Sequence, residues 1–138
     1  LLAVDGSDNN SYAVKDAICI AKAMDAKLTA MYVIAGAELK PNAFGGDVSA
    51  TQRADIAQKS ADEAFKKVKS DCEKAGIPVE VLAVGGNPAQ ELIKASEDFD
   101  LVVCGILGLS GLSKVLMGSV SDELVRKAKC PVLVCRKK

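Results

Sequence analysis

The 138-residue sequence contains no histidine and no tryptophan. Without imidazole, a Ser–His–Asp triad, a Cys–His nucleophilic pair and histidine metal ligation are all excluded. No Gly-Lys pair occurs, so the Walker loop G-x-x-x-x-G-K-[ST] is absent. The five cysteines (Cys19, Cys72, Cys104, Cys130 and Cys135) form no CxxC and no zinc spacing. They are expected on apolar faces of helices and strands, where a free thiol behaves as a small hydrophobe. An odd number of scattered cysteines points to a reducing compartment, hence a cytoplasmic location. Neither sign of charge is in excess, with 18 Lys plus Arg against 18 Asp plus Glu. That balance makes no electrostatic case for nucleic acid or an anionic membrane. No apolar run approaches membrane-spanning length, and no signal peptide is visible. Because the chain starts inside a strand at Leu1, a few preceding residues, including the initiator methionine, are expected.

What is present is an ordinary globular composition, 49% hydrophobic and 26% charged. This length reads as one domain, residues 1–138, able to bury a core without disulfides. Leu1 to Val4 and Leu28 to Ile34 read as buried strands, and Val79 to Val84, Leu101 to Cys104 and Pro131 to Cys135 as three further strands. Between them lie helical patterns. Ala13, Val14, Ala17, Ile18, Ala21 and Met24 share one helical face. Ser49-x-x-Gln52 reads as a capping box for a long helix with the stripe Ile56, Ala57, Ala61, Ala64, Phe65, Val68 and Cys72. Asn87 and Pro88 open a third helix with Ala89, Leu92, Ile93 and Ser96 inward. A last helix, Ser119 to Lys129, turns Val120, Leu124, Val125 and Ala128 inward. Strands without polar alternation, interleaved with helices, predict a doubly wound α/β fold. Its open, parallel, five-stranded sheet has the order 3-2-1-4-5, with helices on both faces.

The fourth strand runs into Gly105-Ile-Leu-Gly108, nine residues, then Gly118-Ser119-Val120-Ser121. Glycine lets backbone approach a ligand closely or adopt φ > 0, and a helix N-terminus offers free N–H groups to phosphate. Gly118 is expected to do both. The first strand ends in Asp5-Gly6-Ser7. In the order 3-2-1-4-5 both loops border the crevice where connections diverge, which is where such sheets bind ligands. Asp5 also has a plain role as a helix cap, and Ser119-x-x-Asp122 has the form of one.

These residues resemble the universal stress protein family, specifically its ATP-binding branch. The resemblance runs along the chain through Ala3-Val4-Asp5-Gly6-Ser7, Tyr32-Val33-Ile34, Gly86-Asn87-Pro88-Ala89, the glycine motif with its Gly-Ser-Val-Ser end, and Cys130-Pro131-Val132-Leu133-Val134. It implies that Asp5 holds the ribose hydroxyls and that the Val33 backbone meets the adenine edge. Gly105 and Gly108 would pass under ribose and phosphates, and Gly118, Ser119, Val120 and Ser121 would receive the phosphates. Many family members carry polar residues where Ile106 and Leu107 stand. Asp122 and Glu123 would repel a triphosphate if they faced it, a repulsion that Mg²⁺ would partly offset.

The function expected is that of an ATP-binding regulatory, stress-response protein with little or no hydrolysis and an unidentified protein partner. An ATP-using enzyme is the alternative, for which the motif region supplies only Lys114 as a cation. A scaffold without nucleotide is the third reading. No residue is assigned a catalytic or metal-ligating role. The stretch Ala35 to Val48 is long enough for a lid over the base. The uniformly apolar fifth strand, at a sheet edge, predicts a homodimer, as the family resemblance also implies.

Overall fold

The computed structural model describes residues 1–35, 50–107 and 117–136. Five parallel strands, β1 (Leu2–Val4), β2 (Leu28–Ile34), β3 (Val79–Gly85), β4 (Val102–Gly105) and β5 (Val132–Cys135), form one sheet in the order β3-β2-β1-β4-β5. The expected architecture and strand order are those observed. Helices α1 (Ser11–Met24) and α2 (Ala50–Ala75) pack on one face, α3 (Pro88–Ala95) and α4 (Ser119–Lys127) on the other.

Alternation along each strand sends side chains to two cores. Leu2 and Val4 join Ala13, Val14, Ala17, Ala64 and Val68 under α1 and α2. Ala3, Met31, Val102 and Cys104 join Leu92 and Leu124 under α3 and α4. Alanines at 13, 17, 21, 61 and 64, all buried, let α1 and α2 lie close on the sheet. The α2 helix stops where Gly76 N–H donates to Glu73 O and Ile77 N–H to Cys72 O, a paired closure that satisfies its last carbonyls.

Four helix residues expected inside lie outside, and on β3 Leu82 is 42% exposed. Ile56 is 61% exposed because α2, at about 39 Å, outruns the roughly 23 Å of strands β2 and β3, so its first turns overhang the sheet. Met24, 72% exposed, is the last residue of α1, where Asp25 turns the chain through a left-handed conformation. Val125, 54% exposed, lies on the flank of α4 beside Arg126 rather than above Leu124. Cys19 is exposed on α1, whereas Cys72, Cys104 and Cys135 are buried as expected. Ser49, half of the expected capping box, lies outside the described residues.

Candidate nucleotide site

β1 pairs with β4 at Leu2↔Val103 and with β2 as far as Val4↔Tyr32. Past Val4 the chain leaves the sheet, so a crevice opens between the ends of β2 and β4. Its first rim is the turn from Asp5 to Asn10. Gly6 adopts φ +76°, a conformation glycine allows without a Cβ clash. Asp5 Oδ1 accepts from both Ser7 N–H (2.9 Å) and Ser7 Oγ (2.8 Å). Asp5 is therefore not the cap of α1, which starts six residues later after a short 3₁₀ turn, Asp8–Asn10. It fastens its own turn with one oxygen and leaves Oδ2 without a partner among the described residues.

Asn10 closes this rim. It is 5% exposed, and its Nδ2 donates to Ala3 O at 3.0 Å. The amide takes up a β1 carbonyl on the side where β4 pairs two residues earlier. Its Oδ1 is buried with no partner among the described residues.

The second rim is the end of β4 and the start of α4. Ile106 N–H donates to Cys135 O at 2.8 Å, and Gly118 N–H returns to Ile106 O at 2.7 Å. Gly118, not Ser119, occupies the cap position of α4. Its φ is −64°, so the expectation of a positive φ is corrected. The glycine is needed for room, since a Cβ there would lie 3.1 Å from Ile106 O and 3.6 Å from Leu107 Cα. Buried Ser121 Oγ donates to Gly118 O (2.9 Å) or Ile106 O (3.1 Å), bracing the rim. Ser119 is exposed at the N-terminal end of the helix. Asp122 pairs with Arg126 (3.0 Å) and Glu123 with Lys127 (3.1 Å), so both acids are engaged along the helix surface.

β2 supplies the back wall. Gly86 N–H donates to Ile34 O at 3.2 Å, which places the Ile34 backbone groups on the β3 side. Backbone groups alternate sides along a strand, so the Val33 carbonyl faces the β1 side, beyond the last β1 residue in register. It is a backbone acceptor at the mouth of the crevice.

These parts line one cleft of about 460 Å³. Asp5, Val33, Gly105, Gly118, Ser119, Val120 and Ser121 all border it. Gly108, Lys114 and residues 36–48 of the expected lid lie outside the described residues. Sequence reasoning missed Asn10, Tyr32, Cys104 and Ser60 as cleft residues. Pro88 and Leu92 also border it, on the helix that Asn87 caps by accepting from Gln90 N–H at 3.1 Å. No described cleft residue is basic. Burial pushes the Cys104 thiol up to about 11, so it stays protonated and weakly nucleophilic at neutral pH. Burial raises Tyr32 as well, with a further contribution from the Asp5 charge.

An open parallel sheet, with a carboxylate turn and a glycine-spaced helix N-terminus bordering one cleft at its switch point, defines a doubly wound α/β domain. The universal stress protein family model matches residues 1–136, and the chain belongs to that family. It is 36% identical to universal stress protein MJ0531 of Methanocaldococcus jannaschii, across 99% of this chain and 81% of the relative. Among solved structures it is similar to hypothetical protein MJ0577, with a TM-score of 0.83 and 26% identity, covering 99% and 94% of the two chains. It is also similar to a universal stress protein in complex with cAMP, with a TM-score of 0.72 and 26% identity, covering 99% and 97%.

Proposed function

We propose that this chain is a single-domain, cytoplasmic, ATP-binding regulatory protein, whose nucleotide occupancy sets its conformation or its choice of protein partner. The observation that carries the reading is convergence: a carboxylate turn, a strand carbonyl unpaired among the described residues and a helix N-terminus border one cleft. Asp5 Oδ2 accepts from ribose hydroxyls. The Val33 carbonyl accepts from the adenine 6-amino group and would repel the corresponding oxygen of guanine. Gly105 and Gly108 keep the loop close to the ligand, while the α4 end, with Gly118, Ser119, Val120 and Ser121, receives phosphate. The cAMP-bound relative supports a purine nucleotide in this family.

Among the described residues no group of three or more possible metal ligands exists, so Mg²⁺ arrives on the triphosphate and its water. Without a basic residue among the described cleft groups, and with no histidine in the chain, hydrolysis stays near background. Titration calorimetry with ATP and GTP tests the reading. Micromolar ATP affinity, about −8 kcal/mol, is expected. No heat of binding at millimolar ATP ends the proposal, and equal affinity for GTP ends the role of Val33.

The chain also pairs with a second copy through β5, an edge strand whose Val132, Leu133 and Val134 are only half-buried. Two-fold strand pairing covers them and satisfies the free backbone groups. Light scattering is expected to give twice 14.4 kDa, and a monomer mass removes the dimer. None of the helices among the described residues is long and apolar enough to cross a membrane.

A further inference from the structure

Tyr32 stands between the two groups that face the cleft mouth. It precedes Val33 on β2, and its register partner on β1 is Val4, the residue before Asp5. Its ring is held on two sides. Phe65 meets it edge-on at 6.2 Å and 76°, and a Cβ on Gly6 would lie 4.0 Å from Cε2, so the ring packs beneath the Asp5-Gly6-Ser7 turn. Tyr32 is half-buried and borders the cleft, and its hydroxyl makes no hydrogen bond to another described residue. Asp5 spends Oδ1 on both Ser7 donors, and Oδ2 is likewise unpartnered there. An unused donor and an unused acceptor therefore occupy the same end of one cleft.

We propose that Tyr32 is a ligand-contacting residue, its phenol donating to the same ribose hydroxyl whose proton goes to Asp5. The inference rests on the reading of the cleft as a nucleotide site and adds the group that distinguishes ribose from deoxyribose. Among these groups of a nucleotide, only a sugar hydroxyl both accepts from the phenol and donates to the carboxylate. A phosphate oxygen only accepts and is repelled by Asp5, while an adenine amine only donates. Burial and the Asp5 charge hold the phenol in its protonated, donating form at neutral pH.

Tyr32→Phe keeps the ring against Phe65 and removes one oxygen. Affinities of wild type and variant for ATP, 2′-deoxy-ATP and 3′-deoxy-ATP test the proposal. The variant is expected to lose about 2- to 12-fold for ATP, the worth of one neutral hydrogen bond. It should lose nothing for the deoxynucleotide that lacks the shared hydroxyl. The chain has no tryptophan and two tyrosines, so tyrosine emission gives a second readout. ATP should change that emission in wild type and not in Tyr32→Phe. Unchanged ATP affinity in the variant, or an equal loss for all three nucleotides, overturns the proposal while leaving the ATP site standing. Wild type that binds none of the three overturns the site itself.

Discussion

On the β1 side of the cleft, polar side chains fasten the backbone; on the β4 side, missing side chains let the backbone come close. Asp5, Ser7 and Asn10 bind one another's turn and the Ala3 carbonyl at 2.8–3.0 Å. Gly118 instead sits where a Cβ would press on Ile106 O at 3.1 Å, and Gly105 where one would meet Leu107 O at 3.4 Å. The two rims have different chemical tasks. Aiming a carboxylate requires a turn with its own internal bonds, because a free side chain would lose rotamer entropy on binding. Offering backbone N–H groups to an anion requires that nothing stand in front of them. Substitutions should therefore fail differently on the two sides: by filling space on the glycine rim, by unpairing polar groups on the other.

The largest effect on binding is expected at the glycine rim. Gly118→Val should abolish ATP binding, a loss of at least a thousandfold, or about 4 kcal/mol. Its φ of −64° suits any residue, so the backbone itself is not strained. Calorimetry should show no binding while thermal melting shows a folded protein. A folded variant with wild-type affinity would mean that the rim tolerates bulk and that the approach argument fails.

Next comes a stability effect on the polar rim. Asn10→Asp replaces the donor to Ala3 O by an acceptor in a buried position. The cost should be about 3 kcal/mol or more at neutral pH, since the buried group is both charged and unpaired. A protonated aspartic acid can donate to Ala3 O, so the folded-state pKa lies above the unfolded value of about 3.9. The penalty then grows as pH rises through that window and shrinks on acidification. Melting curves at pH 4.5 and 7.5, each against wild type, check the sign; a gap that widens toward acid would contradict the Asn10 hydrogen bond.

The same contrast explains what was legible in the sequence. Signals carried by adjacent residues survived contact with the structure. The apolar strands, the Asn87-Pro88 start of α3, and the meeting of Asp5 with the glycine motif all depend on local pattern plus strand order. Asn10 left no such signal, because nothing in an Asp-Asn-Asn stretch says which amide will face a parted pair of strands. Tyr32 read simply as part of a strand. Helical periodicity identified which face of α2 turns inward but not where the helix outruns the sheet, hence Ile56. Of the two properties expected of Gly118, the structure bears out tight backbone packing and not a left-handed backbone.

The smallest of the three effects is expected for Asp5→Ala, and it separates aiming from binding. The Asp5 carboxylate has one oxygen in the turn and one for the ligand. Losing the first frees Ser7 N–H and Oγ, a cost of about 1 kcal/mol, because the turn is only half-buried and water can replace the bonds. Losing the second should weaken ATP binding by about 1.5–3 kcal/mol, the range for hydrogen bonds to a charged group. Asp5→Asn isolates the two roles. An asparagine side chain still offers a carbonyl oxygen to Ser7, so the turn should keep most of its stability, whereas the charge at the ribose is gone. Affinity in Asp5→Asn should therefore fall nearly as far as in Asp5→Ala while its melting temperature stays near wild type. If instead Asp5→Asn binds ATP normally and Asp5→Ala loses affinity only in step with its stability, Asp5 serves the turn alone. The ligand-facing role would then rest on the glycine rim and Val33.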